Sequence, residues 1–450
     1  IRRQRQMCIR DRANTIFTNV NVFDGTSPVL YPAEVLVQGN RIKEVARGEG
    51  KQLARDGAEE VDCGGATLMP GLINTHCHMT YINAPGVPET CAVPIEEHVL
   101  ISSYNAKLML DMGFTAVIGA AAAKARLDIV IRNEIEAGRL QGPRMLACSP
   151  ELTVTGGLAD DSKIDSGDMK FIRDMPSISI VGDGPDEFRK IVRTMIREGA
   201  DVIKFNNSGD SFCFPRCSAE TNPMTDEEVR TIVETTKNMG KRLSAHAHAD
   251  SGVRQCIEHE VELIYHASFA NDETIEMLEK VKDKHWVTPA IAARYNTTYE
   301  AGDWGITVDV AETIGNKREL EAGCEAMAKM HKAGIKVLPF GDYGFAWIPM
   351  GTDSRDFEHF VNLMGFEPWE VLRAATAYGG EAFMGDKMGE IKEGFLSDII
   401  IIDGDPLADI TLFQDRNNIL AIMKDGQFHK PFQGRAAQDC LLYTSDAADE

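Results

Sequence analysis

No stretch of the chain approaches the roughly 18 consecutive apolar residues that a membrane-spanning helix requires, so no span is expected. Basic residues are in deficit: 47 Lys and Arg stand against 69 Asp and Glu, a formal net charge of -22. So negative a surface repels phosphate backbones and anionic lipid, which sets nucleic acid and membranes aside as partners. Low-complexity tracts and short-period repeats are also missing, which removes solenoid architectures. The ten cysteines show no small-domain framework. Most of them are read as reduced thiols of a cytoplasmic protein.

The two ends do not read as protein. Cys440 to Asp449 can be encoded by TGT CTC TTA TAC ACA TCT GAC GCT GCC GAC, and the reverse complement of that DNA, with one further C at its start, encodes Arg2 to Asp11. Two chance ends would not be complementary in this way, and the repeat looks like a transposase adapter. Residues 1–11 and 440–450 are therefore set aside from fold reasoning. Their charges cancel, so the acidity belongs to the rest of the chain. With the true N-terminus lost, a preceding signal peptide stays an open question.

What remains exceeds one ordinary core. Short β-rich segments broken by turn chemistry (TIFTNVNVFDG, AEVLVQGNRIKEV) begin it, and the same texture returns in GEIKEGFLSDIIIIDGDPL and NILAIMKDGQF. Neither flank is long enough for a good core alone, so residues 12–69 and 389–434 are expected to pack as one small β-sandwich, followed by a tail over 435–450. Between them, over residues 70–388, strand-like runs alternate with amphipathic stretches. The eight expected strands are Gly71 to His76, Phe114 to Gly119, Arg144 to Cys148, Asp201 to Phe205, Arg242 to His246, Leu263 to His266, Trp286 to Ala290 and Lys336 to Phe340, with helices including Asp226 to Met239 and Ser251 to His259. Eight such units imply an α/β fold of TIM-type, a (β/α)8 barrel whose chemistry sits where the strands end.

Potential metal ligands fall at those ends. His76 and His78 are two apart in PGLINTHCH, so on an extended backbone both imidazoles face one side. Two polar side chains at a strand edge would look the same. Lys204 closes the run DVIKF, where an ammonium pointing inward is costly unless paired or deprotonated. Beside cations its neutral amine is favoured and can capture carbon dioxide as a carbamate, an anionic bridge for two metals. The bland alternative is a lysine snorkelling from a strand end. His246 in LSAHAHAD and His266 in LIYHAS follow from successive strands, and imidazole suits zinc and its neighbours. His248 has the same parity as His246 and is read as a neighbour of the ligands or a substrate contact, with the ligand role as its alternative. His259, His285 and His331 are read as structural. Asp342 in LPFGDYG can hold one metal and exchange a proton as base and then acid, or can simply be a turn residue. Cys213 and Cys217, spaced C-x3-C without a second pair, make a poor case for a separate zinc site.

The motifs PGLINTHCH, VIKF, AHAHA, IYHAS and GDYG, with GFLSDIIIIDGDPLADI near the end, resemble the amidohydrolase superfamily, in its imidazolonepropionase-like and prolidase-like branch. The resemblance runs from Asn14 to about Lys430. It implies one metal on His76, His78 and Asp342 and another on His246 and His266, with a carboxylated Lys204 and a hydroxide bridging them. It also implies a substrate contact at Tyr295 in ARYNTTY, where lid packing is the alternative. Two departures stand out: Leu158 in TVTGGLADD takes the place of a histidine in dipeptidases of this branch, and NNSGDSFCFPRC replaces a Gly-rich turn after Lys204.

The resulting expectation is a metal-dependent hydrolase cleaving an amide-type C–N bond of a dipeptide or N-acyl amino acid by attack of a metal-bridging hydroxide. Its two divalent cations would be zinc, cobalt, manganese or iron, and carbon dioxide is needed for the lysine. Hydrolysis of cyclic amides, carbamates or urea-like compounds is the alternative within the enzymes, and an inactive barrel serving as a binding or scaffold protein is the alternative outside them. The expected partner is a small-molecule substrate, and the expected assembly a homo-oligomer.

Overall fold

The structure is a computed structural model that describes residues 14–160 and 177–434. The adapter-like segments 1–11 and 440–450 lie outside the described residues. The chain divides into two compact units, one of residues 1–73, 110–115 and 368–450, the other of 74–109 and 116–367.

In chain order the first strands are β1 (Thr15–Val22), β2 (Tyr31–Gln38), β3 (Arg41–Arg47), β4 (Glu59–Asp62) and β5 (Thr67–Pro70). Next come β6 (Leu72–Cys77), β7 (Phe114–Gly119), β8 (Arg144–Leu146), β9 (Cys148–Thr153), β10 (Ser179–Val181), β11 (Val202–Asn206), β12 (Arg242–Ala247), β13 (Leu263–His266) and β14 (Trp286–Thr288). The last are β15 (Ile399–Ile402), β16 (Ile419–Lys424) and β17 (Gln427–Lys430).

In the first unit the two chain ends meet in one sheet ordered β17-β16-β15-β5-β1-β2-β3, with β4 also on β1. Hydrogen bonding is continuous along this strand order. The joint is antiparallel pairing of β15 with β5, Ile400 opposite Met69. All four isoleucines of β15 are buried, as β-branched residues suit a central strand, and each contributes roughly 1.5–3 kcal/mol of burial. Phe17, Val35, Leu68, Ile401 and Leu420 share the core. The Gly39-Asn40 turn joins β2 to β3, with Gly39 at a φ of 65° that a side chain would resist.

The second unit is α/β. Its strands pair parallel in a six-stranded sheet, β10-β9-β11-β12-β13-β14, and a three-stranded sheet, β6-β7-β8. Seven of the eight expected strands are present within a residue or two, save that the third splits into β8 and β9. The eighth, Lys336 to Phe340, is reduced to a bridge between Val337 and Val287. Its far end cannot stay extended, because Phe340, Gly341 and Asp342 have φ of 85°, 134° and 59°. The helix Asp226–Asn238 starts at a capping box, in which Thr225 accepts from the Glu228 backbone and the Glu228 side chain reaches back.

Candidate metal centre and cavity

The expected donors are brought together where the parallel strands end. His76 lies near the end of β6 and His78 just past it. Asp342 Oδ1 sits between them, 3.1 Å from His76 Nε2 and 3.2 Å from His78 Nε2. Asp342 Oδ2 lies 3.7 Å from His266 Nε2. The ligand atoms of His76, His266 and Asp342 all fall within 4.8 Å of one another, and so do those of His246, His248 and His266. His266, Ala267 and Ala290 share the left-handed backbone seen at Phe340 and Asp342, with φ of 75°, 51° and 54°. Each such residue costs about 1–3 kcal/mol, and the clustering of that cost at strand ends is what a functional site looks like. Gly341 has no alternative: a Cβ there would lie 2.6 Å from His76 Nδ1 and 2.8 Å from Ala290 Cβ.

Each imidazole is oriented by its surroundings. The His76 ring stacks on Tyr265 at 3.7 Å and 10°, and the Tyr265 hydroxyl donates to Thr75 O at 3.0 Å. Asn74 accepts from the His76 backbone N–H and donates to Asp353. His266 Nδ1 points at Pro289 O, 3.4 Å away, and His246 Nε2 at Gly209 O, 3.2 Å away. Those contacts assign the ring proton to the outer nitrogen and turn the other lone pair inward. His248 stacks on His266 at 4.2 Å, with Nδ1 2.9 Å from Ser268 Oγ.

Burial keeps these rings neutral. It lowers His76 to about 4, with Asp342 opposing, and it pulls His246, His248 and His266 well below the usual range. Burial raises the Asp342 carboxyl, but its close contacts with His76, His266 and His78 outweigh that and hold it well below the usual carboxylate range. Neutral imidazoles around a carboxylate are the protonation states cations require. The buried His76 Nδ1 and Nε2, His78 Nδ1, His248 Nε2 and His266 Nε2 make no aligned hydrogen bond, a debt a bound cation would settle. The donor set therefore fits divalent metal.

Lys204 on β11 is 1 % exposed. Its Nζ lies 3.7 Å from Glu151 Oε1 and 5.1 Å from the Tyr265 ring centre, and its charge acts on His76 and His246. Glu151, at the centre of β9, had no sequence signal, since only its partner 53 positions on gives it meaning. Arg294 was also missed. Buried in the helix Ile291–Tyr299, it puts Nη2 3.1 Å from Asp342 Oδ2 and Nη1 3.1 Å from Glu319.

Two expectations need correction, and one poor case falls away. Tyr295 does not line the cavity: its ring packs on Tyr299 and His359, and the preceding residue on the helix, Arg294, is the one that faces inward. His248 is not a cavity-wall contact; it is enclosed within the histidine cluster. Cys213 and Cys217 form no zinc site. They are disulfide-bonded to each other and pack with Leu158.

Above the donors lies a cavity of about 310 Å³. Its floor presents His78, Lys204, His246, Asp342 and Glu151, and its walls include Tyr81, Phe212, Phe345, Trp347, Leu158 and Val87. Such a volume with few polar groups suits a small organic molecule.

The model of the amidohydrolase family matches residues 67–428. The chain is 26 % identical over 392 residues to ochratoxinase of Aspergillus niger, covering 81 % of this chain and 75 % of that one. Among solved structures it is similar to an amidohydrolase (26 % identity, TM-score 0.78, 93 % of this chain and 99 % of that one). It also shares the fold of a Xaa-Pro dipeptidase with methionine bound in its active site (24 % identity, TM-score 0.78, 93 % and 100 %). The chain belongs to the amidohydrolase family.

Proposed function

We propose that this amidohydrolase is a binuclear metal-dependent enzyme that hydrolyses an amide-type C–N bond of a dipeptide or N-acyl amino acid. The observation that carries the reading is the convergence of Asp342 with His76, His78, His246 and His266 beneath a cavity lined by Asp342, His78, His246 and Lys204. The names of ochratoxinase and the Xaa-Pro dipeptidase favour amides over the urea-like and carbamate substrates of more distant members. The proposal includes closure of the parallel strands of residues 70–388 into a (β/α)8 barrel. It also includes a homo-oligomer and a reducing cytoplasm; the six free cysteines among the described residues favour the latter, and the Cys213–Cys217 bond stands against it.

His76, His78 and Asp342 would hold one cation and His246 and His266 the other, with carboxylated Lys204 between; zinc heads the candidates, ahead of cobalt, manganese and iron. Bound there, the cations acidify a water and polarise the substrate carbonyl. Lys204 must lose its proton before its amine can take up carbon dioxide, and Glu151 at 3.7 Å is the nearest group to hold or accept that proton. Asp342, held through Oδ2 by Arg294, is the carboxylate that would take a proton from the attacking water and pass it to the leaving amine. His248 stacks on His266 and steadies its ring.

The test is to express residues 12–439 with added zinc and bicarbonate, count metals by mass spectrometry, and screen dipeptides and N-acyl amino acids. About two metals per chain and amide turnover are expected. Fewer than one metal, or turnover unchanged after Lys204→Ala or Asp342→Ala, would refute the mechanism.

A further inference from the structure

We propose that the loop 212–217 is the specificity element of this cavity, and that it selects amides joining a flat aromatic group to a free carboxylate, such as N-aroyl amino acids. This rests on the amide-hydrolase reading above.

Phe212, Phe345 and Trp347 make one aromatic wall. Their ring centres are 6.2 Å (Phe212 to Phe345), 5.5 Å (Phe345 to Trp347) and 6.3 Å (Phe212 to Trp347) apart, at interplanar angles of 15°, 12° and 25°. Rings stacked this closely leave no slot between them, so a substrate ring meets them as one continuous aromatic wall rather than a cage. Phe212 is 46 % exposed, an expensive place for a large apolar ring unless something planar covers it.

Arg216 supplies the second half. It lines the same cavity, and among the described residues its guanidinium donates to neutral acceptors, Gly157 O at 3.2 Å and Cys213 Sγ at 3.9 Å. The other basic residues of the cavity are committed, Arg294 to Asp342 and Glu319, and Lys204 to the metal-holding role proposed above. Among the described residues no carboxylate lies within ion-pair distance of Arg216. In a chain of net charge -22, an arginine left unbalanced at a cavity is a ready seat for a substrate carboxylate.

One covalent feature ties the halves together. The Cys213–Cys217 bond closes the turn that begins just after Phe212 and contains Arg216, and the sulfurs pack on Leu158. Stacking surface and cation are therefore presented by a single short, pinned loop. The reaction needs nothing beyond water: it adds across the C–N bond and releases an aromatic acid and an amino acid.

The test compares kcat/KM of the zinc-loaded enzyme for N-(2-naphthoyl)glycine, N-acetylglycine and the carboxamide of each. A preference for naphthoyl over acetyl of about tenfold is expected, and it should fall in Phe212→Ala. A preference for acid over carboxamide of about tenfold is also expected; it should collapse in Arg216→Gln and survive in part in Arg216→Lys. Preferences that persist in variants melting at the wild-type temperature, or that are missing from the wild type, overturn the inference while leaving amide hydrolysis standing. If none of the four compounds is cleaved, the amide reading fails for them. Calorimetric binding of N-(2-naphthoyl)glycine then decides the loop: equal binding of acid and carboxamide to wild type and Arg216→Gln overturns it, and an acid preference lost in the variant upholds it.

Discussion

Arg294 and Asp342 meet at 3.1 Å on the cavity floor, and the same guanidinium reaches Glu319 at the same distance on its other side. Arg294 thus bridges a cavity carboxylate and one buried in the helix Asn316–Lys332, with Asp210 3.9 Å away as a third partner. Replacing it with methionine takes the cation from three carboxyl groups, Asp210, Glu319 and Asp342, and should cost about 3–5 kcal/mol of stability. Urea denaturation measures this, and Glu319→Gln in the same chain should restore part of the loss. A loss below about 1 kcal/mol would show the bridge to be slack.

Asp342→Asn keeps the shape of the side chain but cannot accept a proton. The expected result is a fall in kcat of about 10²- to 10⁴-fold in a chain that still folds. Steady-state kinetics beside a metal count separates a lost proton carrier from a lost ligand, since the first lowers kcat at unchanged metal content.

Asp128 gives the fold a pH dependence. Burial raises its carboxyl to about 7, against hydrogen bonds from Cys148 N–H and Thr80 that lower it. The folded state therefore binds this proton more tightly than the unfolded one. Stability from the group is fully present below about pH 4 and is lost as pH rises toward about 7. Asp128→Asn should flatten that slope, and urea midpoints at pH 5 and pH 8 should lie closer together than in the wild type. An unchanged spacing would show that Asp128 is ionised throughout.

Reduction of Cys213–Cys217 releases a very short loop, so the stability lost should be modest, about 2 kcal/mol. Because Phe212 and Arg216 flank those sulfurs, the larger effect should be on KM, with kcat nearly constant. Kinetics with and without dithiothreitol, and in Cys213→Ser/Cys217→Ser, read this directly. Equal kinetics in both states would mean that the loop holds its shape without the bond.

The candidate ligands were legible because each sits at the end of an apolar run, and His76 and His78 share the two-residue period of a strand. Their supports were not. Glu151 matters through Lys204, Tyr265 through His76, and Arg294 through a carboxylate 48 positions away, and no local pattern marks a side chain whose role is set by so distant a partner. The segment ARYNTTY pointed to the right helix but the wrong side of it, because neighbouring helical residues diverge by about 100°. The eighth strand fails for a related reason. Its apolar run reads as extended, but the turn that aims Asp342 bends the chain out of the sheet.

Asn74 links the His76 backbone to Asp353, a residue 279 positions further on and outside the cavity wall. Mutational libraries confined to the substrate pocket would leave this tether untouched. Random variation would not: a change at position 353 should register as an active-site defect although it touches no substrate.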